Sequence, residues 1–248
     1  MEILNENTNE NKIEKKTVKF VCISDTHSKH KDLKLPEGDV LIHTGDFSNV
    51  GWEAEIREFS NYLKGLNYKH KIVIAGNHET TFEEKEHKRL LKDFGHDIKN
   101  TLPPSEMKKI LKENCTYLEN EGVEIYGYKI WGSPNTPEFY GWAFMDSDEN
   151  LDKVWSQIPT DTDILLTHGP PYGIMDLCKS GESAGSATLL KQVLTRIKPI
   201  YHIFGHIHET YGEYQHPDIR TKFINASTCT YHYKPKNMPV VFELPIKK

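Results

Sequence analysis

Long hydrophobic runs are missing from this chain of 248 residues. No stretch of about 18 consecutive apolar residues occurs, which argues against a transmembrane helix. The first 16 residues are polar and lack the apolar segment of a secretory signal peptide. We therefore predict a cytoplasmic protein that has no membrane partner.

Cysteine and basic charge are also scarce. The four cysteines, at positions 22, 115, 178 and 229, are widely spaced and form no CxxC pair, which argues against a Cys-type zinc site. Free thiols in a reducing compartment are the favoured interpretation. The net charge of -5 gives no indication of a nucleic-acid polymer or an anionic membrane surface as partner.

The composition predicts one folded domain that follows a short tail. Residues 1–16 are rich in Asn, Glu and Lys and show no hydrophobic period, which predicts a disordered tail. β-Branched and aromatic runs at 18–23, 39–44 and 71–75 predict strands. Between the second and third runs, apolar residues recur with helical spacing over 52–66. This order of elements predicts an α/β fold, with a single domain over 17–248.

Further elements are predicted along the rest of the chain. Residues 80–113 are charged and predict surface helices, and residues 116–131 show hairpin patterning. Later strands are predicted at 164–167, 200–204, 221–226 and 239–244, with a helix over about 186–197.

Polar residues that commonly bind metals follow five of the predicted strands. Ligands of α/β proteins bind outside the carboxyl ends of the strands, so five such clusters can converge on one site. The clusters are Asp25-Thr26-His27, Gly45-Asp46, Gly76-Asn77-His78, His168, and Gly205-His206-Ile207-His208.

The mixture of side chains in these clusters suits a pair of divalent cations. Two cations about 3.5–4 Å apart can clamp the attacking and leaving oxygens of a phosphoryl group. Asp46 is the candidate for a carboxylate that bridges the two ions. Imidazole and carboxylate donors together suit Zn, Fe or Mn. The candidate ligands, three with oxygen donors and four with nitrogen donors, are Asp25, His27, Asp46, Asn77, His168, His206 and His208.

The order of the motifs resembles that of a known family. D-x-H, G-D, G-N-H-E, H-G-P and G-H-x-H, from residue 25 to residue 208, occur in the order typical of the calcineurin-like metallophosphoesterase superfamily. Segments 167–171, 204–209 and 224–229 are similar to those of a subgroup, the metallophosphoesterase-domain-containing proteins of animals and their protist, plant and fungal relatives.

This resemblance implies a fold, a set of site residues and an activity. The fold would be a four-layer α/β sandwich of two mixed sheets covered by helices. The first metal would be held by Asp25, His27, Asp46 and His208, and the second by Asp46, Asn77, His168 and His206. A water or hydroxide bridging the metals would attack the phosphorus, and His78 would donate a proton to the leaving oxygen. The substrate would be a small phosphate ester, with phosphodiesters favoured and cyclic nucleotides as candidates.

Each candidate residue also has an ordinary structural interpretation. Asp25, Asp46 and Asn77 could be turn residues, and His168 could be a loop histidine. Glu79 and Glu209 could hydrogen-bond to ligand histidines or could simply be exposed. The aromatic stretch 139–142 could form a lid or a wall for stacking, but loop packing is slightly favoured.

The remaining histidines lie outside the motifs. His43 and His202 are predicted to be buried in strands. The others have polar neighbours and are predicted to lie on the surface: His30, His70, His87, His96, His216 and His232.

Two other functions stay open at this point. The chain could be a metal-binding scaffold or regulatory protein on the same fold, because fold alone does not fix function. A scaffold would have no need of an intact proton donor at His78. A metallo-β-lactamase-like hydrolase is a weaker alternative, because the sequence contains no H-x-H-x-D-H motif.

Overall fold

The structure, a computed structural model, describes residues 16–247. The tail predicted over 1–16 therefore lies outside the described residues, apart from Lys16. At the centre are two mixed β-sheets. The first has the strand order β13-β1-β2-β3-β4, in which β13 alone is antiparallel to its neighbour. Its strands are β1 (Thr17–Ile23), β2 (Val40–Thr44), β3 (His70–Ile74), β4 (Thr116–Leu118) and β13 (Val240–Pro245).

The second sheet has the order β11-β12-β10-β9-β6-β5. Its four inner strands are parallel, and the two edge strands are antiparallel to their neighbours. Its strands are β5 (Glu121–Ile125), β6 (Tyr128–Ser133), β9 (Ile164–Thr167), β10 (Tyr201–Phe204), β11 (Gly212–Gln215) and β12 (Lys222–Asn225). A short separate pair consists of β7 (Thr136–Pro137) and β8 (Met145–Asp146).

Helices cover the outer faces of both sheets. The helix α5 continues into a π-helical turn at Val193–Ile197, and single 3-10 turns occur at His30–Asp32 and His208–Thr210. The helices are α1 (Glu53–Gly65), α2 (His87–Asp93), α3 (Pro104–Lys112), α4 (Asp148–Trp155) and α5 (Ala187–Gln192). Among residues 16–247, no helix combines the length and the apolar character needed to cross a membrane.

The hydrophobic core has three parts, which define four layers. Between the sheets, Phe20 and Ile42 belong to one cluster with Ile164 and Ile203. Neighbouring residues of β1 point to opposite faces, so Val21 joins a second cluster with the helices α1, α2 and α3. A third cluster lies between the second sheet, α4 and α5. The predicted four-layer α/β sandwich is confirmed.

The predicted elements agree closely with those of the structure where hydrophobic periodicity is strong. The helix predicted over 52–66 is α1, and the strands predicted in the first 80 residues are β1, β2 and β3. The structure adds α4 and β11, which the sequence did not predict, because both lie in polar segments of mixed pattern.

The carboxyl ends of the parallel strands lie at one edge of the two sheets. Here the sheets are joined directly, because Ser24, after β1, bridges to Ser227, after β12. The backbone N–H of Thr228 also donates to the Ser24 carbonyl at 2.8 Å. The loops that leave β1, β2, β3, β9 and β10 therefore meet above a fixed junction.

Candidate metal centre

The loops at this edge bring together all seven predicted ligands and His78. Potential ligand atoms lie within 4.8 Å of one another in three groups, which share members. The first group is Asp25, His27 and His208, and the second is Asp46, His168 and His206, with Asn77 beside it. The remaining group, His27, Asp46 and His78, lies between these two.

The backbone at several of these positions takes a left-handed conformation that costs energy for residues other than glycine. The φ angles are 51° at Asp25, 41° at His27, 57° at Asp46 and 69° at His206. Such conformations persist where surrounding contacts determine them, and they cluster at functional sites. Here the N–H of Asp25 donates to the carbonyl of Gly45 at 2.9 Å, and that of His27 donates to the carbonyl of Asp46 at 3.0 Å.

Two positions that directly precede candidate ligands require glycine, because a neighbouring carboxylate occupies the space that a Cβ would need. A Cβ at Gly76 would lie 2.3 Å from Oδ1 of Asp46, and a Cβ at Gly205 would lie 2.0 Å from Oδ2 of Asp25. Both distances are far below contact distance, so any side chain there would displace a carboxylate. The glycines in the G-N-H and G-H-x-H motifs thus leave room for the acidic groups of neighbouring loops.

The first group of side chains presents donor atoms that face one another. Nε2 of His27 lies 3.2 Å from Nε2 of His208, which is 3.3 Å from Oδ1 of Asp25. Two imidazole nitrogens and a carboxylate oxygen at this spacing fit a cation placed between them. The buried Nδ1 of His27 has no hydrogen-bond partner among the described residues.

The second group is arranged in the same way around His168. Its Nε2 lies 2.9 Å from Oδ1 of Asn77 and 3.4 Å from Oδ2 of Asp46. The ring of His206 has its centroid 4.9 Å from that of His168. The donors of this group are two nitrogens, a carboxylate and an amide oxygen.

Asp46 lies between the two groups. Its Oδ2 is 3.4 Å from Nε2 of His168 and 3.9 Å from Nε2 of His27. Its Oδ1 accepts the backbone N–H of His78 at 2.9 Å, which fixes the orientation of the carboxylate. One oxygen of Asp46 therefore faces both groups.

Hydrogen bonds from outside the site orient several ligands. Nδ1 of His168 lies 2.9 Å from the carbonyl of Thr44, and Nδ1 of His208 lies 3.2 Å from that of Thr230. A carbonyl can only accept, so each Nδ1 carries a proton and each Nε2 is free to bind a cation. The backbone N–H of His206 donates to both carboxylate oxygens of Asp25 at 3.0 Å.

Glu79 holds two of the ligand loops together. This fully buried carboxylate accepts the N–H groups of Asp46 at 2.9 Å, Gly76 at 2.7 Å and Ser48 at 2.9 Å. Burial and the nearby charge of Asp46 raise the pKa of Glu79 to about 8. The interpretation of Glu79 as an exposed carboxylate is wrong, whereas Glu209 is exposed.

The charges of the site strongly perturb its pKa values. Burial opposes ionisation of Asp25 and Asp46, but the neighbouring histidines outweigh it and hold both pKa values below the usual range. Burial also disfavours a charged imidazole, yet Asp46 raises the pKa of His168 to about 9. For His27 and His206 burial prevails and lowers the pKa to about 3. Such opposed shifts within one cluster are typical of functional sites.

His78 lies at the boundary between the ligand cluster and a cavity. Its Nδ1 lies 2.5 Å from the carbonyl of Asn49, and its Nε2 lies 3.8 Å from Oδ2 of Asp46. The indole ring of Trp142 packs on the imidazole, with the centroids 4.2 Å apart. The Asn49 carbonyl requires a proton on Nδ1, so Nε2 is the nitrogen that faces Asp46 and the cavity.

The cavity above the ligands has a volume of about 840 Å³. Asp46, Asn77, His78, His206 and His208 form its floor. Aromatic side chains form much of its wall, namely Phe139, Trp142, Tyr172, Tyr231 and Tyr233.

The aromatic stretch 139–142 contributes to this wall. Phe139 is 58% exposed, Tyr140 is 85% exposed, and Trp142 lines the cavity beside His78. Phe139 and Trp142 thus line the cavity, and Trp142 also packs on the ring of Phe94, with the centroids 4.3 Å apart. The sequence showed the aromatic residues but could not show which face of the loop meets the site.

Histidines outside the site follow the predictions in part: His232 is exposed, whereas His70, His87, His96 and His216 are partly buried. His43 and His202 are fully buried in β2 and β10. His30, predicted to lie on the surface, is also fully buried and packs against the rings of Phe59 and Tyr62, with centroids 5.2 Å and 4.6 Å away. Its neighbours in sequence are charged and suggest an exposed segment, but the His30 side chain itself points at α1.

Tyr233 was not predicted as a site residue. Its ring centroid lies 4.8 Å from that of His27 and 5.1 Å from that of His208, so it covers the first group of ligands. It comes from the loop after Cys229, which is brought here by the junction of the two sheets. None of the five predicted metal-binding motifs lies in that loop, so the sequence offered no reason to assign Tyr233 to the site.

Comparison with known proteins agrees with this geometry. The sequence model of the calcineurin-like phosphoesterase family matches residues 18–210, which contain every residue of the three ligand groups. The chain belongs to the calcineurin-like phosphoesterase family. The predicted superfamily is thus confirmed, and a hydrolase with metal-binding side chains is the general class that the family supports. The metallo-β-lactamase-like alternative loses its support.

Similar proteins occur in animals. "Metallophosphoesterase domain-containing protein 1" of Homo sapiens is 44% identical over 233 residues, which cover 92% of this chain and 71% of that protein. The Mus musculus protein of the same name gives the same values. A solved structure, a 5'-nucleotidase precursor from Thermus thermophilus, is 15% identical with a TM-score of 0.41, and the match covers 93% of this chain and 55% of that chain.

Proposed function

We propose that this family member is a phosphodiesterase that uses two divalent cations. The observation that carries the proposal is the position of Asp46, whose Oδ2 faces His27 of one ligand group and His168 of the other. A carboxylate shared in this way can hold two cations close together against their mutual repulsion. Bound there, the cations would supply the positive charge that activates a water molecule and neutralises the phosphate oxygens.

The ligands would divide between the ions as the family resemblance implies. One cation would take Asp25, His27 and His208, the other would take Asn77, His168 and His206, and Asp46 would contact both. The carbonyl partners of Nδ1 in His168 and His208 leave Nε2 free for this purpose. Three oxygen donors and four nitrogen donors suit Mn, Fe or Zn.

His78 would supply the proton that the leaving oxygen needs. Its Nδ1–H is held by the carbonyl of Asn49, so its Nε2 faces the cavity next to Asp46. To act as the donor, the ring would carry protons on both nitrogens, pass the Nε2 proton to the leaving oxygen and keep the Nδ1 proton on the Asn49 carbonyl. The intact position of His78 also supports an enzyme over a metal-binding scaffold.

The charge of the cavity supports a phosphodiester over a phosphomonoester. Among the described residues that line it, Lys179 is the one lysine or arginine, and its Nζ lies 4.6 Å from the centroid of the Tyr231 ring. Besides Asp46 in the floor, three carboxylates line the wall of the same cavity: Glu138, Glu182 and Glu209. A phosphodiester carries one negative charge, whereas a phosphomonoester dianion carries two. The carboxylates of the wall would therefore repel the monoester more strongly.

The aromatic wall supports a substrate with a flat substituent. Phe139, Tyr172 and Tyr231 are about half exposed or more, so their ring faces are available to a ligand. A nucleobase stacks on such faces with about 1–3 kcal/mol for each base. A small nucleotide diester is therefore the candidate substrate.

The test is hydrolysis of a chromogenic phosphodiester and its matched monoester by purified protein. The protein is first treated with a chelator, and then Mn, Zn, Mg or Fe is restored singly. We expect metal-restored hydrolysis that favours the diester and is absent from Asp46→Asn. A preference for the monoester would contradict the substrate class. Two bound ions without turnover of either compound would favour the scaffold alternative.

A further inference from the structure

Outside the ligand cluster, a second carboxylate organises the loop that orients His78. Glu55 lies in the first turn of α1, is partly buried, and was not among the residues predicted for the site. It is neither one of the described residues that line the cavity nor a member of the three ligand groups. Its hydrogen bonds reach two of the loops at the ligand edge.

Five donors converge on the carboxylate of Glu55. Its Oε1 accepts the backbone N–H of Asn49 at 2.9 Å, the side-chain N–H of Asn49 at 2.8 Å and the hydroxyl of Ser28 at 3.0 Å. Its Oε2 accepts the N–H groups of Trp52 at 3.1 Å and Val50 at 3.3 Å. Burial works against ionisation, but these bonds outweigh it and lower the pKa of Glu55. The carboxylate is therefore charged at neutral pH.

The loop that Glu55 holds is the one that presents the carbonyl of Asn49 to His78. The opposite side of the loop is fixed as well, because the hydroxyl of Thr81 donates to the carbonyl of Gly51 at 2.6 Å. Glu55 supplies bonds to both N–H groups of residues 49 and 50, so the peptide group between them has a single orientation. The carbonyl of this peptide group belongs to Asn49 and accepts Nδ1–H of His78 at 2.5 Å.

We propose that Glu55 is a positioning residue for His78, because it fixes the Asn49 carbonyl that keeps a proton on Nδ1 and aims Nε2, the nitrogen that would take up and release the transferred proton, at the substrate. The proposal rests on the proposed function for its effect on catalysis, but the tautomer itself does not depend on activity. Glu55 touches no reacting atom. Its loss should therefore act through His78 and leave the bound cations in place.

The first test reads the tautomer of His78 without any substrate. In the zinc-loaded full-length protein, imidazole ¹H–¹⁵N correlation spectra should show His78 protonated at Nδ1. Glu55→Gln places an amide N–H among the donors and should yield a mixture of tautomers. The control is Glu53→Gln, on the same turn of α1, where the carboxylate instead pairs with Arg57 at 2.7 Å. It should match the wild type.

The second test uses leaving groups of different quality. A proton donor matters most for a poor leaving group, so Glu55→Gln should lower kcat for an alkyl phosphodiester by about 10-fold or more, in line with the loss of a partner that orients a site residue. The kcat for a nitrophenyl diester and the metal content should change little. In a His78→Ala background, Glu55→Gln should have no further effect on either substrate.

Distinct results would overturn the proposal. An unchanged tautomer and leaving-group dependence in Glu55→Gln would show that His78 is oriented without Glu55. Loss of metal with equal loss of both activities would show that Glu55 acts through Ser28 on the metal loop instead. If Glu55→Gln does not fold, Glu55→Asp replaces it, because the shorter side chain withdraws the carboxylate from the N–H groups of Asn49 and Val50, and an unchanged tautomer there would count against the proposal.

If the wild-type protein hydrolyses neither diester, the proposed function fails, and the tautomer measurement still decides the role of Glu55.

Discussion

Histidines inside the strands and, among those at the strand ends, His27 and His168 are buried, but the two sets have different neighbours. Nε2 of His43 lies 3.0 Å from the hydroxyl of Thr26, and Nε2 of His202 lies 2.8 Å from that of Thr167. Burial lowers the pKa of each to about 3, so both are neutral. These two interior histidines each have a hydroxyl partner, which is how buried polar groups are normally satisfied.

The strand-end histidines face carboxylates and one another instead. Nε2 of His168 points at Asp46, and Nε2 of His208 points at Asp25. Burial alone thus does not separate a metal ligand from a core histidine. For His168 and His208, the features that differ from the interior histidines are a carboxylate within about 4 Å of Nε2 and a carbonyl that holds Nδ1.

The largest effect is expected from removing the carboxylate shared by both ligand groups. Asp46→Asn should lose both cations and lower turnover by roughly 10⁴-fold, since cations supply several kcal/mol of transition-state stabilisation and 1.36 kcal/mol is a factor of ten. Metal analysis and kcat on a phosphodiester check this. Asp161→Asn, at an exposed position, is the control and should behave as wild type. Full activity of Asp46→Asn would show that the strand-end histidines do not act with Asp46 as metal ligands, and they would then not differ in function from the interior histidines.

His78 belongs to the strand-end set but is expected to act on protons and not on metal. His78→Ala should lower kcat for a poor leaving group by about 10²-fold or more, the usual contribution of a positioned acid. The metal content should stay at the wild-type value. Loss of metal from this variant would instead make His78 a ligand.

Binding of metal should stabilise the fold only when the strand-end ligands are intact. At a metal concentration of 100 times Kd, the free energy of unfolding should rise by about 2.7 kcal/mol for each of the two cations in the wild type. His202→Gln, in the strand interior, should gain as much. His168→Ala should gain far less, as measured by urea unfolding of each protein with and without metal. Equal gains in all three would place the metal elsewhere.

The interior histidines should make the protein sensitive to acid. The pKa of His202 is lowered from 6.5 to about 3 on folding, so the unfolded chain binds the proton first and stability falls as pH drops below 6.5. At pH 5 the loss is about 2 kcal/mol for such a group. Between pH 7 and pH 5, metal-free His202→Gln should therefore lose about 2 kcal/mol less than the wild type. The exposed His232→Gln should lose as much as the wild type.

The sequence predicted the strand-end ligands because a buried strand followed by polar residues is a local pattern. The five clusters from Asp25 to His208 could be read in this way, as could the strands that carry them. The fold class followed from the same alternation of strands and helical spacing. The family match over 18–210 agrees with that prediction.

The sequence could not predict contacts that depend on long-range packing. Trp142 reaches His78 from a distant loop, and Tyr233 reaches His27 across the junction of the sheets. Glu55 has the pattern of a helical surface residue, and its five donors appear only when two loops fold back on α1. His30 was misassigned for a related reason, since its polar sequence neighbours do not show that its side chain points inward.

The central claim is that two cations share Asp46, and spin resonance of the manganese-loaded protein tests it directly. Two Mn²⁺ ions about 3.5–4 Å apart and joined by a carboxylate should give an exchange-coupled spectrum with two ions per chain. Asp46→Asn should abolish the coupled signal. A single uncoupled ion per chain in the wild type at saturating manganese would contradict the account.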